Sequence, residues 1–238
     1  RLAAYPDHVA RAQGFPTLIP FSEGMGFLAG EGPGAPAAVI VTAHEAAHQW
    51  WGHLLTPGAG PGADVLLEGL ANYSTLLLLE AERGDEARQA FARHLEERYT
   101  DQRRVDLERP LVEIVDTARR HDEAVAYDKG AWAFWMLDRH LGREAMLAGL
   151  RTFVERFQDG PDHPALPDLL AVLRERTAAP GAFDALVGLW FRGVALPEFE
   201  VRSARSSRDH EGGTLLTAEV ANVGSGEFDV EVAAIGPG

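Results

Sequence analysis

Apolar residues fall into two regimes along the chain. From position 37 to about 192 they recur every three to four residues, and beyond 198 they alternate with polar ones. The first spacing marks helices with a buried face; the second marks strands. Pro36 suits the first turn of a helix, which predicts a mostly buried helix over 37–53. Asp64 is the N-cap candidate for a second helix that runs to about Arg83 and stops at Gly84. Further helices are expected at about 85–104, 122–141, 143–157, 165–177 and 181–192, with Gly142 and Pro180-Gly181 as breaks. Residues 1–34 read as irregular, interrupted by Pro6, Pro16 and Pro20 and a glycine-rich run, with a short strand or extended edge within 21–28.

Phe199-Glu200-Val201-Arg202, 216–223 and 228–232 alternate, and Gly212-Gly213 and Gly224-Ser225-Gly226 lie between them, which predicts an antiparallel hairpin arrangement. The expected organisation is a mainly α domain over 1–197 followed by part of a β-sandwich-like domain over 198–238. Three strands make an incomplete sandwich, so the chain reads as a piece of something longer.

Composition narrows the function. The 238 residues are 46% hydrophobic and 24% charged, as in ordinary globular proteins. A formal net charge of −14 argues against a nucleic-acid partner and is compatible with cationic substrates, including peptides with a free amino terminus. There is no cysteine, which excludes disulfides, thiolate metal sites and thiol catalysis. No apolar stretch approaches the roughly 20 residues of a membrane span.

The strongest chemical signal is His44-Glu45-Ala46-Ala47-His48. Two histidines four residues apart on a helix share one face, so both imidazoles can reach a single zinc ion while Glu45 stands beside it. A catalytic zinc needs a third protein ligand, and Glu68, early on the next expected helix, is the best candidate.

Three motifs then appear in order: His48-Gln49-Trp50-Trp51-Gly52, Leu67-Glu68-Gly69-Leu70-Ala71-Asn72-Tyr73, and Tyr127-Asp128-Lys129-Gly130. Together they resemble the aminopeptidase N family of gluzincin zinc metallopeptidases over about residues 20–195. Trp50-Trp51 and the run Phe21-Ser22-Glu23-Gly24-Met25-Gly26-Phe27 resemble more closely the bacterial branch fused to ABC-transporter permeases. That placement would set the parent protein at a membrane.

The resemblance implies a thermolysin-like, mainly α catalytic domain without the family's amino-terminal β domain. It also implies one zinc per chain on His44, His48 and Glu68, Glu45 as general base, Tyr127 as donor to an oxyanion, and a peptide substrate with a free N-terminus. From the residues alone, Tyr127 reads as a packing tyrosine beside Trp132 and Phe134. The 19 residues at positions 49–67, between His48 and Glu68, are one more than the family's usual spacing. The family's amine-binding Gly-x-Met-Glu-Asn is also replaced here. Glu23 either takes the place of its glutamate or is an exposed loop residue.

The expected function is zinc-dependent peptide hydrolysis by an aminopeptidase. An endopeptidase of the same clan and a non-catalytic metal-binding regulatory domain of a transporter are the alternatives. Trp50 and Trp51 are expected in the core, His53 off the ligand face, and Lys129 paired with a carboxylate near the site.

Overall fold

The computed structural model describes residues 1–7, 11–28, 30–104, 107–118, 120–196, 198–208 and 213–226. The chain divides into two compact units, Arg1–Gly193 and Val194–Gly238.

In the first unit, strands β1 (Leu2–Tyr5) and β2 (Ile19–Ser22) pair in parallel, with Leu2 opposite Ile19. Among the described residues eight α-helices follow: α1 (Ala37–Ala47), α2 (Leu70–Arg83), α3 (Asp85–Gln102), α4 (Arg120–Ala124), α5 (Gly130–Leu141), α6 (Arg143–Phe157), α7 (Leu166–Arg174) and α8 (Pro180–Trp190). The α2 helix packs against α1, α3 and α5 and so forms the centre of the bundle. Its Leu70, Tyr73, Leu76 and Leu79 are buried together with Phe134 and Leu137 of α5 and Phe153 of α6. Among the described residues no helix is long and apolar enough to cross a membrane.

Most expected helices appear within a few residues of their expected bounds. Gly84 and Gly142 stop α2 and α5 at φ 86° and 84°, a region that favours residues without a Cβ. The helix expected over 37–53 instead ends at Ala47, because the chain folds into turns that Gly52 completes at φ 124°. Leaving the helix separates the two tryptophans. Trp51 is buried, but Trp50 is 52% exposed, against the expectation that both lie in the core. Asp64 is itself helical and makes no side-chain cap bond. The amino-terminal parallel strand pair was not foreseen, since β1 carries no alternation.

Among the described residues three segments wind one residue wider than an α-helix; one, Gly24–Leu28, follows β2, and the other two lie in the helical bundle. Val65–Gly69 leads into α2, and Val125–Lys129 leads into α5. Such π turns are rare and concentrate at functional sites. The two turns pack against each other through Gly69 and Gly130. A Cβ on Gly69 would lie 3.0 Å from the Ala126 carbonyl oxygen and 3.3 Å from the Gly130 Cα. Even an alanine there would require the facing turn to give by a few tenths of an ångström, and a larger side chain would require more.

In the second unit, β3 (Phe199–Arg208) and β4 (Thr214–Asn222) form an antiparallel pair with Phe199 opposite Asn222 and an irregularity between Val201 and Ser203. The third expected strand, at 228–232, lies outside the described residues, as does Gly212.

Gly69→Val is expected to destabilise the protein by about 1–3 kcal/mol, the usual cost of overpacking. Denaturant unfolding measures it, and a variant as stable as wild type would show that the two turns can part freely.

Candidate metal centre

The wide turn at Val65–Gly69 swings Glu68 toward the face of α1 that carries His44 and His48. The three candidate ligand atoms form a small triangle. His44 Nε2 lies 3.1 Å from Glu68 Oε2, His48 Nε2 lies 3.4 Å from the same oxygen, and the two Nε2 atoms are 3.2 Å apart. Ligands bound tetrahedrally at about 2.0–2.1 Å stand about 3.3–3.4 Å from one another. The spacing therefore matches one zinc ion.

The outer hydrogen bonds decide what these atoms present. His44 Nδ1 donates to Asn72 Oδ1 at 2.8 Å, and His48 Nδ1 donates to the Trp51 carbonyl at 3.0 Å. With the ring proton on Nδ1, each neutral imidazole turns its Nε2 lone pair toward the Glu68 carboxylate. Three acceptors then converge in a place where their side chains are only 12–14% exposed. A metal cation, or a proton on one of the imidazoles, relieves that arrangement. When a proton sits on either Nε2, that ring donates to Glu68; burial pushes the Glu68 carboxyl up, but such bonds outweigh it and hold the group at about 2. Burial lowers His48, but Glu68, the Trp51 carbonyl and Glu45 together more than reverse this.

The triangle forms part of a cavity of about 390 Å3 with Glu45, Tyr127, Gly14 and His53 on its wall. The Tyr127 ring stacks on His44 at 5.8 Å between centroids. Burial and the neighbouring Glu68 charge push its hydroxyl well above the usual range, so it stays a donor near neutral pH. The structure therefore brings together His44, His48, Glu68, Glu45 and Tyr127. Glu23 is exposed just after β2 and is not among the residues lining this cavity.

The turn carrying Tyr127 is anchored from behind. Lys129, 2% exposed, donates to Glu108 Oε1 at 2.6 Å, and the Tyr99 hydroxyl donates to the same carboxylate. Lys129 thus pairs with a buried carboxylate, as expected. Asp128, also buried, receives Arg98 Nε at 3.2 Å. Burial still pushes its carboxyl up to about 7, against the pull of Arg98.

Two contributors were not singled out from sequence. Asn72 bridges His44 to the Tyr127 carbonyl, which accepts from its Nδ2 at 3.1 Å. Its position four residues after Glu68 places both on one helix face and could have flagged it. Gly14, 31 residues before Glu45, donates its backbone N–H to the Glu45 carboxylate and offers no comparable signal.

The model of the peptidase family M1 domain matches residues 35–186. The chain is similar to Aminopeptidase M1-A of Oryza sativa subsp. japonica, 28% identical over 190 residues, covering 78% of this chain and 21% of the relative. Aminopeptidase M1-B of the same plant is 30% identical over 147 residues, covering 59% of this chain and 16% of the relative. Among solved structures, the M1 zinc metallopeptidase of Deinococcus radiodurans superposes with a TM-score of 0.64 at 25% identity, over 83% of this chain and 40% of that one. A mutant of that enzyme bound to a Tyr-Ser-Ala substrate gives 0.62 over the same shares, also at 25% identity. The chain thus spans well under half the length of these relatives.

Asn72→Leu is expected to weaken zinc binding by about 10–100-fold, as loss of an outer partner of a ligating histidine does. Competition with a chromogenic chelator measures this, and unchanged affinity would deny Asn72 that role. The Asp128 carboxyl holds its proton more tightly folded than unfolded, so stability should fall as pH rises from about 4 to about 7. Asp128→Asn should flatten that decline in denaturant unfolding, whereas parallel profiles would place the buried charge elsewhere.

Proposed function

The chain belongs to peptidase family M1, and on that premise we propose that it forms the catalytic part of a zinc-dependent aminopeptidase. The observation that carries the reading is the triangle of three acceptor atoms at 3.1–3.4 Å, with Glu45 and Tyr127 on the wall of the same cavity.

His44, His48 and Glu68 would hold the zinc. The ion, when bound, supplies Lewis acidity that polarises a carbonyl and acidifies water. The remaining work belongs to the chain. Glu45 accepts a proton from the attacking water and returns it to the departing amine. The Tyr127 hydroxyl, kept protonated, donates a hydrogen bond where negative charge develops on the former carbonyl oxygen. The ligating carboxylate, Glu68, offsets one charge of the ion.

Glu23 was the candidate for binding the substrate's free α-amine, and its position outside the cavity lining favours a second reading: an endopeptidase of the same clan. Paired substrates separate the two. Free peptides cleaved far faster than their N-acetylated counterparts support the aminopeptidase; equal cleavage supports the endopeptidase.

Glu45→Gln is expected to keep about one zinc per chain while hydrolysis falls by about 10²–10⁴-fold. Tyr127→Phe should lower kcat by about 10²–10³-fold with zinc retained. Zinc content measured beside peptide turnover checks both. Full turnover in either variant would remove that residue from the mechanism, and wild-type protein that binds zinc but cleaves no peptide would leave the metal-binding regulatory role.

A further inference from the structure

Ala12, Gln13 and Gly14, the first half of the segment Ala12–Thr17, line one wall of the metal-site cavity. Its Gly14 N–H donates to Glu45 Oε2. A Cβ on Gly14 would lie 2.7 Å from the Glu45 carbonyl oxygen and 3.1 Å from His48 Cβ, so only glycine permits this approach.

Two side chains beyond the metal-binding motif hold the segment there. Gln49 uses both ends of its amide: Nε2 donates to the Phe15 carbonyl and Oε1 accepts from the Thr17 N–H, each at 2.8 Å. His53 Nε2 donates to the Gly14 carbonyl at 3.0 Å. Between the Gln49 contacts the chain reverses at Pro16-Thr17, where Phe15 and Leu18 exchange backbone hydrogen bonds of 2.7 and 3.0 Å. Thr17 sits at φ 64°, a strained conformation for a β-branched residue. Strain of this kind persists where surrounding contacts over-determine it, and it clusters at functional sites.

We propose that Gln49 and His53 are positioning residues: they clamp the Ala12–Thr17 segment to the end of α1, so that the Gly14 N–H fixes one oxygen of the Glu45 carboxylate. The other oxygen is then left in a defined direction for proton transfer. The proposal deepens the peptidase reading and rests on it for its effect on rate. The clamp itself is a matter of geometry that can be tested without turnover.

The test combines amide hydrogen exchange at Gly14, zinc content, melting temperature and kcat for wild type, Gln49→Ala, His53→Ala and His53→Gln. In both alanine variants Gly14 exchange should accelerate by roughly tenfold or more, as a local opening would allow. Their kcat should fall by roughly 10–100-fold, the scale of a misplaced reacting group, with zinc content and melting temperature as in wild type. His53→Gln, which keeps an N–H donor, should recover much of the loss.

Wild-type exchange in both alanine variants, or faster exchange with unchanged kcat, would overturn the proposal. If wild-type protein cleaves no peptide, the hydrolase reading falls alone. The exchange data still decide the clamp in that case: acceleration supports it and its absence rejects it.

Discussion

Three electron-pair donors held within 3.4 Å of one another repel, and the rest of the first unit is organised to keep them there. Two of the three are fixed by hydrogen bonds on their far sides. Asn72 and the Trp51 carbonyl each take the Nδ1 proton of a histidine, which sets the tautomer and leaves Nε2 facing inward. The third, Glu68, is aimed by the wide turn that carries it. Because the surroundings are largely shielded from water, the repulsion is weakly screened and the preference for a cation is correspondingly strong.

The second wide turn brings Tyr127 to the same cavity, and the contact between Gly69 and Gly130 locks the two turns together. These two motif glycines therefore have a steric reason. Behind the Tyr127 turn, Lys129 and Glu108 form an ion pair that is almost completely buried, with Tyr99 completing the carboxylate's hydrogen bonds. An ion pair so placed contributes little net stability, but losing one partner leaves an uncompensated buried charge. Its value here is geometric: it ties the end of the Tyr127 turn to Glu108. Asn72 joins the halves, because its side chain touches His44 at one end and the Tyr127 backbone at the other.

The Ala12–Thr17 segment approaches the site from outside the helical motifs. It reaches Glu45 through backbone rather than side chain, so its amino-acid types matter mainly where they permit close approach, at Gly14, and reversal, at Pro16-Thr17. The site is thus built from α1 and its following turns, two wide turns and one extended segment. Together these span residues 12 to 129 of the first unit.

Much of this was legible in sequence because it is local. Helix bounds follow from apolar spacing and from glycines such as Gly84 and Gly142 that can take positive φ. The i, i+4 histidine pair shares a face by helical geometry alone. Glu68 and Tyr127 were reachable through ordered motifs, though local reasoning by itself left Tyr127 as a packing residue. What only the tertiary structure decided depends on through-space distance. The 3.1–3.4 Å triangle needs a wide turn that no residue pattern announces. The end of α1 at Ala47, and with it the exposure of Trp50, depends on turns stabilised by later residues. The absence of Glu23 from the cavity lining, and the presence there of Gly14 and His53, follow from how residues 11–22 fold back on themselves and onto α1. A single sequence encodes such contacts only through the packing of the whole unit.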